Sequence, residues 1–288
     1  VVVLGLDFDF VRIIVLAGWV RVLGREEYIG FVWKPADTAI LLWAVAGTIV
    51  YTLLYGTFSA FIGKLGQSYT ALGAYFLFRT LVKEWGDVDR VVTTFAVVSI
   101  PVAFCFIIES QSGRNAFAVF GGVPEVTVIR EGRFRCQGAF PHPILAGCFW
   151  ACAIPPLVCS LVSASQRKSL LAMGIVCAGI IVITSSSSTP VSAVFIGFAG
   201  ISMFVLREHM RALRWGMLLC VIVLHMLMKK PVWHLVARVD LVGGSTGWHR
   251  YVLIDGAIKH FDEWWLIGTR STYHWDEHGM FDITNQYI

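Results

Sequence analysis

Eight apolar runs, near residues 8–23, 38–56, 71–82, 93–109, 143–163, 170–184, 190–206 and 216–228, alternate with short polar stretches along the chain. Runs bounded in this way by short charged loops are the pattern of membrane helices, which need about 20 apolar residues to cross a hydrocarbon layer of ~30 Å. The pattern predicts an all-α, polytopic transmembrane bundle of about eight spans. Arg12, Arg21 and Arg79 interrupt the runs at 8–23 and 71–82, so a re-entrant or interfacial helix is the competing reading for those two.

Loop charge then orients the bundle. The loops at 24–37 (Arg25, Lys34), 83–92 (Lys83, Arg90), 164–169 (Arg167, Lys168) and 207–214 (Arg207, Arg211, Arg214) are basic and fall at every second crossing. Positive charge marks the cytoplasmic side. The segments 57–70, 110–142 and 185–189, and a large loop over 229–288, are therefore expected to face outward. Basic residues on that face need another explanation, and they cluster in two places. One is Arg114, Arg130, Arg133 and Arg135; the other is Lys229, Lys230, Arg238, Arg250 and Arg270.

Composition agrees with the pattern. Apolar residues make up 57% of the chain and charged residues 15%, against about 25% charged in an ordinary soluble domain. A net charge of +4 is too small to imply nucleic acid as a partner. Six of the seven cysteines lie in apolar runs and read as small hydrophobes, while Cys136 alone lies in a loop, where an impermeant thiol reagent should reach it. The start at Val1 and end at Ile288 read as a fragment of a longer protein.

Four strings carry candidate chemistry. Arg133-Phe134-Arg135-Cys136-Gln137-Gly138-Ala139-Phe140-Pro141-His142-Pro143 leads into an apolar helix. There Arg135 offers a planar fork matched to phosphate oxygens and Gly138 permits close backbone approach, although a headgroup-snorkelling arginine is the plain alternative. The patch Ser185-Ser186-Ser187-Ser188-Thr189-Pro190 must form a tight turn, its hydroxyls lining a polar cavity or satisfying free backbone groups. The run Gly243-Gly244-Ser245-Thr246-Gly247-Trp248-His249-Arg250 reads as a glycine-rich turn opening a helix, with Arg250 near an anion-binding start. Finally, Asp276, His278, Asp282 and Asn285 lie within ten residues and could supply acid–base chemistry or a solvated loop. His274 and His278 with Asp276 reproduce no recognised ligand spacing, so no metal site is expected.

Together these strings resemble the O-antigen ligase and O-antigen polymerase superfamily, integral-membrane glycosyltransferases of the GT-C type. The likeness covers about residues 130–288 and rests on Arg135 with Gly138, Pro141 and Pro143, the turn at 184–190, the Arg250 segment with Gly268, and Asn285-Gln286-Tyr287. Residues 1–129 match in hydropathy and form the N-terminal helices. The resemblance implies an undecaprenyl-diphosphate-linked glycan as donor, a glycan or lipid as acceptor, inversion at the anomeric carbon, and no metal or cofactor. It further implies a bacterial inner-membrane protein with its active site on the periplasmic face, Arg135 and Arg250 on the diphosphate, and Gly138, His249 and Asn285 in support. Ligase-type members carry a His immediately before the Asn; here that position is Thr284, which leaves Asp282 or His278 as the base. A secondary transporter or lipid-linked-sugar flippase is the competing class, favoured if Arg12 and Arg79 line a cavity at the membrane midplane.

Overall fold

The computed structural model describes residues 2–3, 6–7, 10–163, 167–238 and 247–275. Among these, eight long helices appear: α1 (Phe10–Gly24), α2 (Pro35–Tyr55), α3 (Phe58–Leu81), α4 (Trp85–Ser112), α5 (Pro143–Ser163), α6 (Lys168–Thr184), α7 (Ser188–Met203) and α8 (Met210–Leu227). Two more follow, α9 (Gly247–Lys259) and the single turn α10 (Phe261–Trp264). Among the described residues, strand is confined to two small hairpins, β1 (Val2–Val3) with β2 (Leu6–Asp7), and β3 (Ile129–Arg130) with β4 (Arg133–Phe134).

Among the described residues, each predicted apolar run falls mainly on one of the eight long helices, and the fold is all-α. Four helical stretches are long and apolar enough to cross a membrane: Pro35–Tyr55, Trp85–Ser112, Pro143–Ser163 and Arg207–Leu227. Lys168–Thr184 and Ser188–Met203 are apolar but shorter. α1 has 15 residues, and α3 is long enough but carries Lys64, Gln67, Ser68 and Arg79. The chain is thus a membrane protein with four helices that meet the length and hydropathy of a span. Its large exposed apolar surface, including α8, none of whose residues is buried, suits lipid contact.

The expected outward loop at 57–70 is a helix. Gly56, at φ +65°, closes α2, and Thr57 opens α3 by accepting a hydrogen bond from the Ala60 N–H at 3.2 Å. The two residues are a complete turn. The polar positions after it are helical because they face α2, as in the 2.9 Å hydrogen bond between the Thr48 and Ser68 hydroxyls.

The chain forms two compact units, Val1–Asp87 with Asp255–Ile288, and Val88–Ile254. This division follows spatial packing, whereas the 129/130 boundary follows the extent of the resemblance. In the first unit α1 and α3 run parallel: Arg12 Nε donates to Thr70 Oγ1 at 3.5 Å and Trp19 Nε1 to the Gly73 carbonyl at 3.1 Å. α2 runs antiparallel to α3. Its first turn carries Asp37, which caps the Lys34 N–H at 2.7 Å and accepts from Tyr75 and Arg79 at 2.7 and 3.1 Å. Arg79 is therefore ion-paired near a helix end.

In the second unit, α4, α5 and α6 bury Ala96, Ala103, Phe106, Ala146, Trp150, Leu157, Ala178 and Ile181 in one core. Small residues let the backbones approach. A Cβ at Gly174 would sit 2.7 Å from Ala96 Cα, and one at Gly197 would sit 2.6 Å from Pro155 Cγ. α5 and α7 run parallel, and both begin at the same end of this unit, where a Cβ on Gly147 would meet Pro190 and Ser185.

Candidate functional site

The expected basic turn ahead of α5 is built around a carboxylate that sequence reasoning missed. Glu109, buried near the end of α4, accepts from the Thr127 hydroxyl and the Gln137 N–H at 3.0 Å on one oxygen, and from the Gly138 N–H at 3.0 Å on the other. Three donors on one buried carboxylate fix the loop that carries Arg135. A lone Glu inside the apolar run 93–109 was the available signal, since an ionisable residue there needs a partner. Gly138 adopts φ +55° and packs so tightly that a Cβ would lie 2.3 Å from the Phe106 ring. Asn115 Nδ2 donates to the Gly138 carbonyl at 2.8 Å, closing the same turn.

Arg135 follows β4 directly. Its Nε is buried and has no hydrogen-bond partner among the described residues. Burial, and then the neighbouring Arg130 cation, push the guanidinium pKa below its usual value; it stays protonated near neutral pH. A half-buried cation beside a second cation, with a buried N–H left over, is complementary to an anion. His142 caps α5 by accepting the Ile144 N–H on Nδ1 at 3.2 Å. Burial, and then Arg135, lower its pKa, so the ring is neutral near pH 7 and leaves the positive charge on the arginines.

The Ser/Thr turn links the two expected anion-binding arginines. Ser186 donates to the Phe134 carbonyl at 2.9 Å, next to Arg135, and the Cys136 N–H donates to the Thr184 carbonyl at 3.1 Å. Arg250, in the first turn of α9, donates to the Thr189 hydroxyl. Thr184 and Ser185 bond back to carbonyls of α6. Neither Arg135 nor Arg250 is ion-paired among the described residues. The N-termini of α5 and α7 add positive dipole ends to this region, offset in part by the C-terminal end of α6.

No family model, curated protein or solved structure matches this chain.

His249 is exposed beside Arg250. Asp282, His278 and Asn285 lie outside the described residues, as do Gly243, Gly244, Ser245 and Thr246. Cys136 corrects an expectation. The loop position suggested an accessible thiol, but the residue has 0% exposure, and burial followed by the Glu109 charge pushes its pKa up to about 12. Cys152, Cys159 and Cys220 are the exposed ones, on apolar helices. A second polar cluster also escaped the sequence. His260, Glu263 and His274 converge in the first unit, with ligand atoms within 4.8 Å of one another.

Proposed function

We propose that this chain is an inner-membrane glycosyltransferase of the O-antigen ligase or polymerase type, acting on a polyprenyl-diphosphate-linked glycan at the outer face. The observation that supports it is the pair Arg135 and Arg250. Both lack a carboxylate partner among the described residues, one keeps a buried unsatisfied N–H, and one Ser/Thr turn bonds both the backbone flanking Arg135 and the side chain of Arg250. In this reading they hold the diphosphate of the donor, and their charge stabilises the leaving group as the glycosidic bond breaks. A diphosphate needs little protonation to depart, so the remaining proton task is at the acceptor hydroxyl. Asp282 is the first candidate base and His278 the second, with Asn285, His249 and Gly138 in support. The acceptor oxygen attacks the anomeric carbon from the side opposite the diphosphate, inverting its configuration, without metal.

The test is transfer from a polyprenyl-diphosphate glycan by the purified chain in lipid nanodiscs. Arg135→Ala and Arg250→Ala should each cost about 2–4 kcal/mol of transition-state stabilisation, as loss of a preorganised donor does. Lys should rescue little, since an ammonium lacks the two-donor fork. Full transfer by both Lys variants would reduce these arginines to headgroup anchors. Unchanged transfer by Asp282→Asn and His278→Gln would place the base elsewhere.

A further inference from the structure

The junction after α9 gathers groups that the proposed transfer does not use. His260 lies between α9 and α10, Glu263 lies in α10, and His274 lies in the short 3-10 helix Tyr273–Trp275. His260 Nδ1 meets one Glu263 oxygen at 2.9 Å and His274 Nε2 meets the other at 2.7 Å. Trp275 fixes this arrangement twice. Its ring stacks on His260 at 5.4 Å and 3° interplanar angle, and its Nε1 donates to Glu263 at 3.0 Å. Trp264 Nε1 donates to the Ala257 carbonyl at 2.7 Å and holds α10 against α9.

Two imidazoles and one carboxylate with their ligand atoms within 4.8 Å are a small contraction away from the ~3.3 Å ligand separation that a tetrahedral ion with ~2.0–2.1 Å bonds requires. One carboxylate is too few for a Ca2+ site, and Mg2+ avoids imidazole; two imidazoles suit Zn2+ and its neighbours. The indole N–H on the carboxylate is the kind of outer contact that orients a metal ligand. The three side chains are partly exposed, at 31%, 33% and 56%, which leaves one face for a water as fourth ligand.

We propose that His260, Glu263 and His274 form a binding site for a divalent transition-metal ion of the Zn2+ class, which clamps α10 to the Tyr273–Trp275 turn. Each imidazole ligates through the nitrogen now facing Glu263, and its ring proton resides on the other nitrogen. The site is independent of the transfer reading and acts on stability.

The experiment uses the full chain in detergent micelles, stripped with chelator and titrated with Zn2+ or Mg2+, followed by calorimetry and thermal unfolding. One Zn2+ per chain should bind and raise the unfolding temperature, reversibly with EDTA, while Mg2+ has no effect. His260→Gln and His274→Gln should each weaken Zn2+ binding at least tenfold, and Trp275→Phe, which keeps all three ligands, should weaken it several-fold. Absence of Zn2+ binding, or wild-type affinity in both His variants, overturns the proposal and leaves a hydrogen-bonded clasp. Co2+ in the wild-type chain gives a readout that needs no variant. A tetrahedral visible spectrum without a thiolate-to-cobalt band supports the site, and a thiolate band assigns the metal to cysteines and overturns it.

Discussion

At Gly138 two constraints coincide: a left-handed backbone and a Phe106 ring that leaves no room for a Cβ. Gly138→Ala should therefore destabilise the second unit by about 2 kcal/mol or more, of which roughly 1 kcal/mol is the backbone term. Thermal unfolding in detergent checks this, and a loss below about 0.5 kcal/mol would mean that Phe106 moves aside freely. Glu109 makes the complementary case. Glu109→Gln keeps the shape but turns two acceptor oxygens into one acceptor and one amide that faces N–H donors, so about 1–3 kcal/mol should be lost. Limited proteolysis should then cut within 113–142 more readily than in the wild type. Cys136, buried against this network, should stay unlabelled by impermeant maleimide until the protein is denatured. Labelling of the native chain at Cys136 would show that the loop opens. Sequence alone could place Cys136 in a loop but could not bury it, because burial there depends on a carboxylate 27 positions earlier.

Elements were the most legible scale. The apolar runs of α2, α4, α5 and α8 marked helices because hydropathy integrates over twenty residues and tolerates local error. The run at 71–82 caught only the second half of α3, since Ser59, Lys64, Gln67 and Ser68 have polar side chains yet sit on a helix capped by Thr57. The Ser/Thr turn was legible as a turn, but its bonds to Phe134 and Arg250 join positions 52 and 61 apart and leave no local trace. The 3-10 helix Val232–Arg238 after α8 carries a titration that can be tested. His234 is 8% exposed, accepts or shares a hydrogen bond with Lys230 Nζ at 3.2 Å, and faces Tyr251 at 4.7 Å. Burial, then Lys230 and Arg238, lower its pKa. The unfolded chain therefore binds a proton that the folded chain refuses, so stability falls as pH drops through about 6.5 and below. His234→Gln should flatten that slope in unfolding measured between pH 7.5 and 5. An unchanged slope would assign the effect to other groups.

Across the whole molecule, the open question is whether four or eight helices cross the membrane, and helix direction bears on it. α5 leaves the end of its unit marked by His142, and α6 returns to that end, since the Thr184 carbonyl receives the Cys136 N–H. α6 thus travels back along the thickness that α5 crosses, although it has only 17 residues. α7 then runs beside α5, with Gly197 level with Pro155. In the first unit α3 returns along α2, from the Gly56–Thr57 turn to the ion pair of Arg79 with Asp37. The eight-span reading has short or polar helices packed lengthwise on long apolar ones cross with them, since lipid offers no partner for a chain end left inside. Eight crossings put Thr57 and Ser187 outside, and Glu84 and Lys168 inside, as loop charge also requires. If only the four long apolar helices crossed, Thr57 and Glu84 would share one side, and Lys168 and Ser187 would share one side. Single cysteines at these four positions, in a background free of the native seven, should react with impermeant maleimide in intact spheroplasts at Thr57→Cys and Ser187→Cys only. Glu84→Cys and Lys168→Cys should react only after permeabilisation. Equal reactivity within either pair would limit the membrane to the four longer helices and leave α3, or α6 and α7, lying outside the hydrocarbon layer.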